Sequence, residues 1–329
     1  MFGYLRLLFD NFTLILLAVV AAATLFPAQG QGAVFFDGLT VAAIALLFFM
    51  HGAKLSRQAI IAGMMHWRLH SLVFACTFIM FPIIGVLAKP ILIPLIGDKL
   101  YMGMLFLCVL PGTVQSAIAF TALAKGNVPA AVCSASASSI IGILLTPLLV
   151  ALLMQVDASE GPSALHSIGS ISMQLLLPFV VGHGMRPLIG NWVDNHKKSL
   201  SRLDQTSILL VVYTALSASV VEGLWNTVLP KTLLSLTLVC CVLLAIVLWL
   251  TAWLGAHLGF NREDRITIVF CGSKKSMATG VPMAQVLFAG PLLGPALLPL
   301  IIFHQIQLMV CAVLAQHYAR QEQALSASN

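Results

Sequence analysis

The chain has 329 residues, of which 60% are hydrophobic and 9% charged, with a formal net charge of +6. A soluble domain carries roughly 25% charged residues, so this chain cannot cover itself with a water-facing charged surface, and its solvent is largely lipid. The positive excess is spread over many loops instead of being clustered on one water-exposed domain. That excludes a nucleic-acid partner and fits the Lys and Arg that cytoplasmic loops of membrane proteins collect.

Apolar stretches run at approximately 8–26, 33–52, 70–89, 101–123, 128–154, 167–188, 205–223, 231–258, 264–288 and 290–318. Several, such as Phe12–Phe26 and Leu233–Trp253, are apolar on every side, and an all-round apolar helix of about 20 residues is a membrane span. The first lacks a small-residue cleavage site and reads as a true span. Lys54–Arg68, between the second and third, is basic and amphipathic and is expected to lie along the membrane surface. The expected fold class is an all-α membrane protein of ten transmembrane helices, with the lipid bilayer as its first partner.

Orientation follows from the basic residues. With the N-terminus inside, Arg6, Lys54, Arg57, Arg68, Lys125, Arg186, Lys197, Lys198, Arg202, Arg262, Arg265 and Arg320 face the cytoplasm, and Lys89, Lys99 and Lys231 face outward. This bias predicts that both termini are cytoplasmic. Val156–Ala164, which holds Asp157, Ser159, Glu160, Gly161 and Pro162, has five spans on each side. Five is odd, so the halves sit in opposite orientations, as in an inverted repeat. Residues 1–155 are the first repeat, 156–166 a linker, 167–318 the second repeat and 319–329 a cytoplasmic tail.

Two spans break the apolar pattern at corresponding places: the fourth at Leu110-Pro111-Gly112-Thr113-Val114-Gln115-Ser116-Ala117, the ninth from Cys271-Gly272-Ser273-Lys274-Lys275-Ser276 to Gly280-Val281-Pro282. Pro lacks an N–H, and Gly permits almost any backbone angle. Both segments are expected to unwind near Gly112–Gln115 and Gly272–Lys275. Unwound backbone is tolerated at membrane depth only where it lines a cavity or binds something. Lys274 and Lys275 would each cost about 3 kcal/mol at the bilayer centre, so they mark a site. Adjacent helical residues point about 100° apart, and only an irregular backbone lets both serve it.

The fifth span carries Ser134 and Ser138 in Cys133-Ser134-Ala135-Ser136-Ala137-Ser138-Ser139, small residues suited to close helix packing and, directly after the broken span, to a share in the site. His304-Gln305-Ile306-Gln307 puts polar groups into the tenth span. Cys76, Cys108, Cys133, Cys240, Cys241, Cys271 and Cys311 lie in apolar runs without metal-ligand spacing and read as packing residues. His66 and His70 have the i, i+4 spacing of metal ligands but no acidic neighbour in the sequence, and no metal site is expected.

Leu110-Pro111-Gly112-Thr113 through Ala124-Lys125-Gly126-Asn127-Val128 resembles the bile acid:sodium symporter family, which has a Pro-Gly break in its fourth span and then a short helix ending in a basic residue and Gly-Asn-Val. Phe81-Pro82 in the third span and His304 in the tenth continue the match. Gly272-Ser273-Lys274-Lys275-Ser276 is similar to a divergent bacterial branch of symporters in that family. The resemblance implies two inverted five-helix repeats, a core domain of spans 3–5 and 8–10 with the fourth and ninth crossing, a panel domain of spans 1, 2, 6 and 7, and a bacterial inner membrane location. It also brings in sodium as a possible coupling ion, with no other cofactor. Sodium-coupled members carry Ser-Asn in the fourth-span break, where Ser116-Ala117 stands here. They carry Glu and Gln-Asn in the ninth, where Cys271 and Lys275-Ser276 stand. The third-span Gln of their second sodium site falls at Thr77. The acid is lost and ammonium groups are gained.

These residues point to a secondary transporter of a small organic anion, not an enzyme. Lys274 or Lys275 supplies positive charge, and Thr113, Gln115, Ser116, Ser134, Ser138, Ser273, Ser276, His304 and Gln305 supply polar contacts. Transport is expected not to require sodium. A lysine could lose its proton during the cycle and couple transport to protons, or remain a fixed charge. Two rivals stand beside this reading. One is an intramembrane hydrolase using a serine with His304, for which no nucleophile motif is visible. The other is a channel, for which no ring of charges is visible. Reporter fusions at Asn329 and within Val156–Ala164 are expected to report opposite sides of the membrane; the same side for both would sink the five-plus-five arrangement.

Overall fold

The computed structural model describes residues 11–54, 66–154, 164–288 and 292–327, and these are helical almost throughout. Arg6, residues 55–65 of the expected surface segment and most of the expected linker lie outside them. Apart from a single turn at Leu224–Thr227, the helices are α1 (Asn11–Leu25), α2 (Gln31–Lys54), α3 (Trp67–Leu87), α4 (Lys89–Ile96), α5 (Asp98–Val109), α6 (Gln115–Leu123), α7 (Val128–Met154), α8 (Ala164–Asn195), α9 (Lys197–Val221), α10 (Pro230–His257), α11 (Arg262–Gly272), α12 (Met277–Leu287) and α13 (Leu293–Ala327). Six of them (α2, α3, α7, α9, α10 and α13) are long and apolar enough to cross a membrane, as a multi-pass membrane protein requires.

The helix breaks follow from local chemistry. Pro111 removes an N–H and disfavours the helical region for the residue before it, and Leu110 is extended at φ −70°, ψ 153°. In the second break Ser276 is extended at φ −85°, ψ 115°, and its hydroxyl accepts the Thr279 N–H at 3.3 Å as the N-cap of α12. The irregular backbone covers 110–114 and 273–276. This is a displacement of one or two residues from expectation, because Gln115 already opens α6 and Gly272 still closes α11.

A third irregularity was not expected. Inside α3, Cys76–Met80 forms a π-turn. Pro82 has no N–H to offer the preceding turn, and the Phe81 N–H bonds back to the Cys76 carbonyl, five residues away. The Thr77 carbonyl, which an α-helix would pair with that N–H, is released.

The helices form two groups. One comprises α1, α2, α8 and α9; the other comprises α3, α5, α7, α10, α11 and α13, with the half-helices α6 and α12 among them. Within the first group α2 and α8 touch backbone to backbone: a Cβ added at Gly52 would lie 1.9 Å from the Phe179 carbonyl oxygen, and one at Gly182 would lie 1.9 Å from that of Phe49. Within the second, Gly142 of α7 gives Pro111 its place, because a Cβ there would lie 2.5 Å from the proline ring. Lipid offers helices little hydrophobic drive to associate, so close backbone approach carries the packing. Gly182→Ala is therefore expected to destabilise the protein by about 2 kcal/mol, read as a lower melting temperature in detergent. Gly184→Ala, where a Cβ meets nothing within 4 Å, is expected to leave it unchanged.

Candidate functional site

Lys274 and Lys275 are completely buried, and a buried charge is stable only when hydrogen-bonded or paired. The Lys275 ammonium donates to the carbonyls of Thr77 at 2.7 Å, Cys108 at 2.8 Å and Leu110 at 2.7 Å, and it sits 4.1 Å from the centre of the Phe81 ring. Three N–H donors meet three acceptors; a neutral amine would leave one carbonyl unpaired. All three acceptors come from interrupted helices. The π-turn frees Thr77. The Pro111 break frees Cys108 and Leu110, since the Gly112 N–H that would serve Cys108 in a helix instead donates to the Ser138 hydroxyl at 3.1 Å.

Several other groups at the breaks are also paired. The Val109 carbonyl accepts from the Thr146 hydroxyl at 2.9 Å, and the Pro111 carbonyl accepts the Ser276 N–H at 2.9 Å. This last bond joins one break to the other, so the two broken segments meet. Gln307 clamps the second break: its side chain accepts the Lys275 N–H at 3.0 Å, donates to the Lys275 carbonyl at 2.8 Å, and donates to His304 Nδ1 at 2.9 Å. Sequence reasoning passed over Gln307 as a site residue. Its signal was there: a Gln one turn after His304 in an otherwise apolar run.

Lys274 turns the other way. It donates to the Ser116 carbonyl at 3.0 Å and lies over two aromatic faces, Phe120 at 3.9 Å and Phe270 at 5.4 Å, where the ring quadrupoles favour a cation. The lysines thus occupy separate cages and do not share one. Ser273 closes α11 by donating to the Val269 carbonyl at 2.5 Å.

A cavity of about 650 Å³ lies between the two helix groups. On one side it is lined by the ends of the two breaks and the first residues of α6 and α12: Thr113, Gln115 and Ser116 with Ser276 and Thr279, joined by His304. On the other side it meets Phe48, His51, Lys54, Phe179, Arg186 and Asp204. The Thr113 and Ser116 hydroxyls are 2.8 Å apart, and Gln115 reaches Ser201 on α9 at 3.4 Å.

Five of the expected site residues, Thr113, Gln115, Ser116, Ser276 and His304, therefore share this wall. Ser138, Ser273, Lys274 and Lys275 do not line it; Ser138 and the two lysines instead bond to backbone groups of the first break and of α6. Two lie apart. Ser134 is within 2.6 Å of His70 Nδ1, and Gln305 accepts from Thr13 of α1 at 3.0 Å. Folding also supplies the acid that His66 lacks in sequence, Asp264 at 4.0 Å. His70 turns to Ser134 instead, and no group of three metal-binding side chains exists among the described residues. The facing residues His51, Lys54, Arg186 and Asp204 were missed, because they are scattered over three helices.

The sequence pattern of the SBF-like CPA transporter family matches residues 10–320. The chain is 62% identical over 323 residues to the protein PA2026 of Pseudomonas aeruginosa, covering 98% of this chain and 97% of that one. It is 59% identical over 321 residues to "Putative symporter YfeH" of Escherichia coli strain K12, covering 97% and 95%. It is 28% identical over 319 residues to Sodium/bile acid cotransporter 7 of Xenopus tropicalis, covering 94% and 91%.

The cage carries a stability prediction. Lys275→Ala leaves three buried carbonyls without a donor and is expected to cost at least about 3 kcal/mol, more than Lys274→Ala, whose ammonium has one carbonyl partner. Methylammonium, which fits the vacated space, should restore part of the lost melting temperature to Lys275→Ala and not to Lys274→Ala. Equal losses and no rescue would count against the cage.

Proposed function

The chain belongs to the SBF-like CPA transporter family, and from that premise we propose that it is a secondary transporter that moves an organic anion by alternating access and needs no sodium. The observation that carries the anion is the cavity wall. The N-terminal turns of α6 and α12 both open onto it, and a helix N-terminus presents unpaired N–H groups and a partial positive charge to an anion. Two buried ammonium groups stand directly behind these turns. The hydroxyls of Thr113, Ser116 and Ser276 add hydrogen bonds, and Phe48, Phe179, Ile140 and Ile143 supply an apolar surface for the body of the molecule. An amphipathic carboxylate or sulfonate matches this lining. Relatives carry names that refer to bile acids and to symport.

The architecture we propose is ten spans in two inverted repeats. In the first, α5, a break and α6 make one broken span, followed by the long helix α7. In the second, α11, a break and α12 do the same, followed by α13. The group α1, α2, α8 and α9 serves as the panel, and the other group is the core that moves against it. The lining of the cavity includes the basic residues Lys54, Arg186 and Lys197, and we take its mouth to lie at that end. The bias of basic residues assigns that end to the cytoplasm, so this conformation is inward-open, in a bacterial inner membrane with both termini inside.

Sodium independence rests on the Lys275 cage. Its three carbonyls are what a small cation would seek, and the ammonium already holds them. Two unit charges about 4 Å apart repel by about 4 kcal/mol even at an effective dielectric of 20, so a sodium ion and this ammonium do not share the cage. The test is uptake into proteoliposomes of radiolabelled taurocholate and a panel of short aromatic and aliphatic acids, with sodium exchanged for choline at constant pH. Uptake within about twofold in the two salts is expected. Uptake that needs sodium would overturn the coupling assignment, and ion conductance far above transporter turnover would overturn the transporter itself.

A further inference from the structure

The helix group facing the two breaks holds a second cluster of charge. Asp204 of α9 is 6% exposed and lines the cavity. One carboxylate oxygen takes the Lys54 ammonium at 2.5 Å. The other, Oδ1, is fully buried and finds no donor among the described residues. A buried carboxylate oxygen gains from a donor, so a neighbouring side chain that acquires a proton can compete for Asp204.

His51 stands one turn before Lys54 on the same helix and lines the same cavity as Lys54 and Asp204. Its Nδ1 lies 2.8 Å from the Leu47 carbonyl. A carbonyl only accepts, so Nδ1 carries the hydrogen, and Nε2 is the nitrogen that gains or loses a proton. The other charged and titratable groups around this point are few. On α8 they are Arg186, which donates to the Ala53 carbonyl and to Asp194; Asp194 itself; and His183, whose backbone packs on Gly52. On α9 there is Lys197, 3.9 Å from Asp194, and across the cavity on α13 there is His304, bonded to Gln307. Arg186, Asp194, Lys197 and His304 therefore all have partners. The open valences are those of Asp204 Oδ1 on this wall and of His183 Nδ1 on α8.

We propose that His51 and Asp204 form a proton-binding site in the cavity wall, and that a proton taken up there moves Asp204 from Lys54 to His51 and turns the Lys54 ammonium toward the cavity. With His51 neutral, Lys54 and Asp204 cancel each other, and this wall offers an anion little. With His51 protonated, the imidazolium supplies the donor that Oδ1 lacks. Lys54 is then left as a cation facing the N-termini of α6 and α12. Proton and anion binding support each other, and by linkage the anion is held more tightly as pH falls through the His51 titration. The proposal rests on the reading of this cavity as the transport site. It places the coupling proton on the panel and leaves Lys274 and Lys275 as fixed cations.

The test needs no substrate, so its failure is separable from failure of the uptake assay. The full chain in lipid nanodiscs is labelled with 15N-histidine, and its lysine amines carry 13C-methyl groups, which keep their charge. His51 is assigned by the signal lost in His51→Gln, and Lys54 by the signal lost in Lys54→Met. In the wild-type protein the Lys54 signal is expected to shift with the same pH midpoint as His51. In Asp204→Asn the His51 midpoint should move toward acid by about one unit, and the Lys54 signal should stop following it. In Lys54→Met, which removes the competitor for Asp204, the midpoint should move toward base by a similar amount. A Lys54 signal that stays constant through the His51 titration overturns the proposal, as does a His51 midpoint that neither substitution moves. If Asp204→Asn does not fold, Lys54→Met decides alone: a basic shift supports the site, and an unchanged midpoint removes it.

Discussion

Lys275 brings three N–H donors into a region where backbone carbonyls are ordinarily consumed by their own helices. The protein meets this demand by interrupting two helices beside it. A π-turn in α3 releases one carbonyl, and the Pro111 break between α5 and α6 releases two more. The same break hands its next carbonyl to Ser276 in the opposite broken segment. The ammonium therefore does not merely occupy the crossing point. Without a donor at that position these carbonyls would be unpaired at membrane depth, where no water replaces the missing bond. The backbone defects and the buried cation stabilise one another, and each would be a liability alone.

From this crossing the rest of the site follows. Holding the breaks together aims the first turns of α6 and α12 into one cavity, because each half-helix starts at the residue where its break ends. Gln307 and Ser138 keep that geometry from behind, one by bracketing Lys275 and the other by taking the Gly112 N–H. The half-helix N-termini, the hydroxyls of Thr113, Ser116 and Ser276, and the buried ammoniums all carry positive or donor character. The cavity wall they make is therefore rich in donors and in positive charge.

The opposite wall is built differently. The α2–α8 contact at Gly52 and Gly182 is backbone against backbone, which makes that helix pair a rigid support. Its charged groups, Lys54, Arg186, Asp194 and Asp204, are largely paired with one another and so hold little net field. A wall of fixed positive character faces a wall of nearly cancelled charge. Small changes in pairing on the second wall then change what the cavity as a whole presents.

Much of this was legible in the residues themselves. Composition and span length determined that the chain is a helical membrane protein, since nothing else solvates so few charges. Pro111-Gly112 and Gly272 through Pro282 marked both broken helices to within two residues, because a missing N–H acts locally. Lys274 and Lys275 marked the place where the two breaks meet, because an ammonium in an apolar run needs acceptors that only irregular backbone leaves free. Other features needed the fold. That the two lysines point into different cages depends on how the 273–276 backbone turns. That Thr77 is an acceptor depends on a π-turn whose cause, Pro82, lies five residues downstream. Ser134 and Gln305 looked equivalent to their neighbours by composition, yet helix rotation faces them toward His70 and Thr13. The pairing of Lys54 with Asp204, 150 positions apart, and the cavity they line exist only where α2 and α9 are packed together, because side-chain contacts between distant helices are set by three-dimensional packing and leave no periodicity or spacing in the chain.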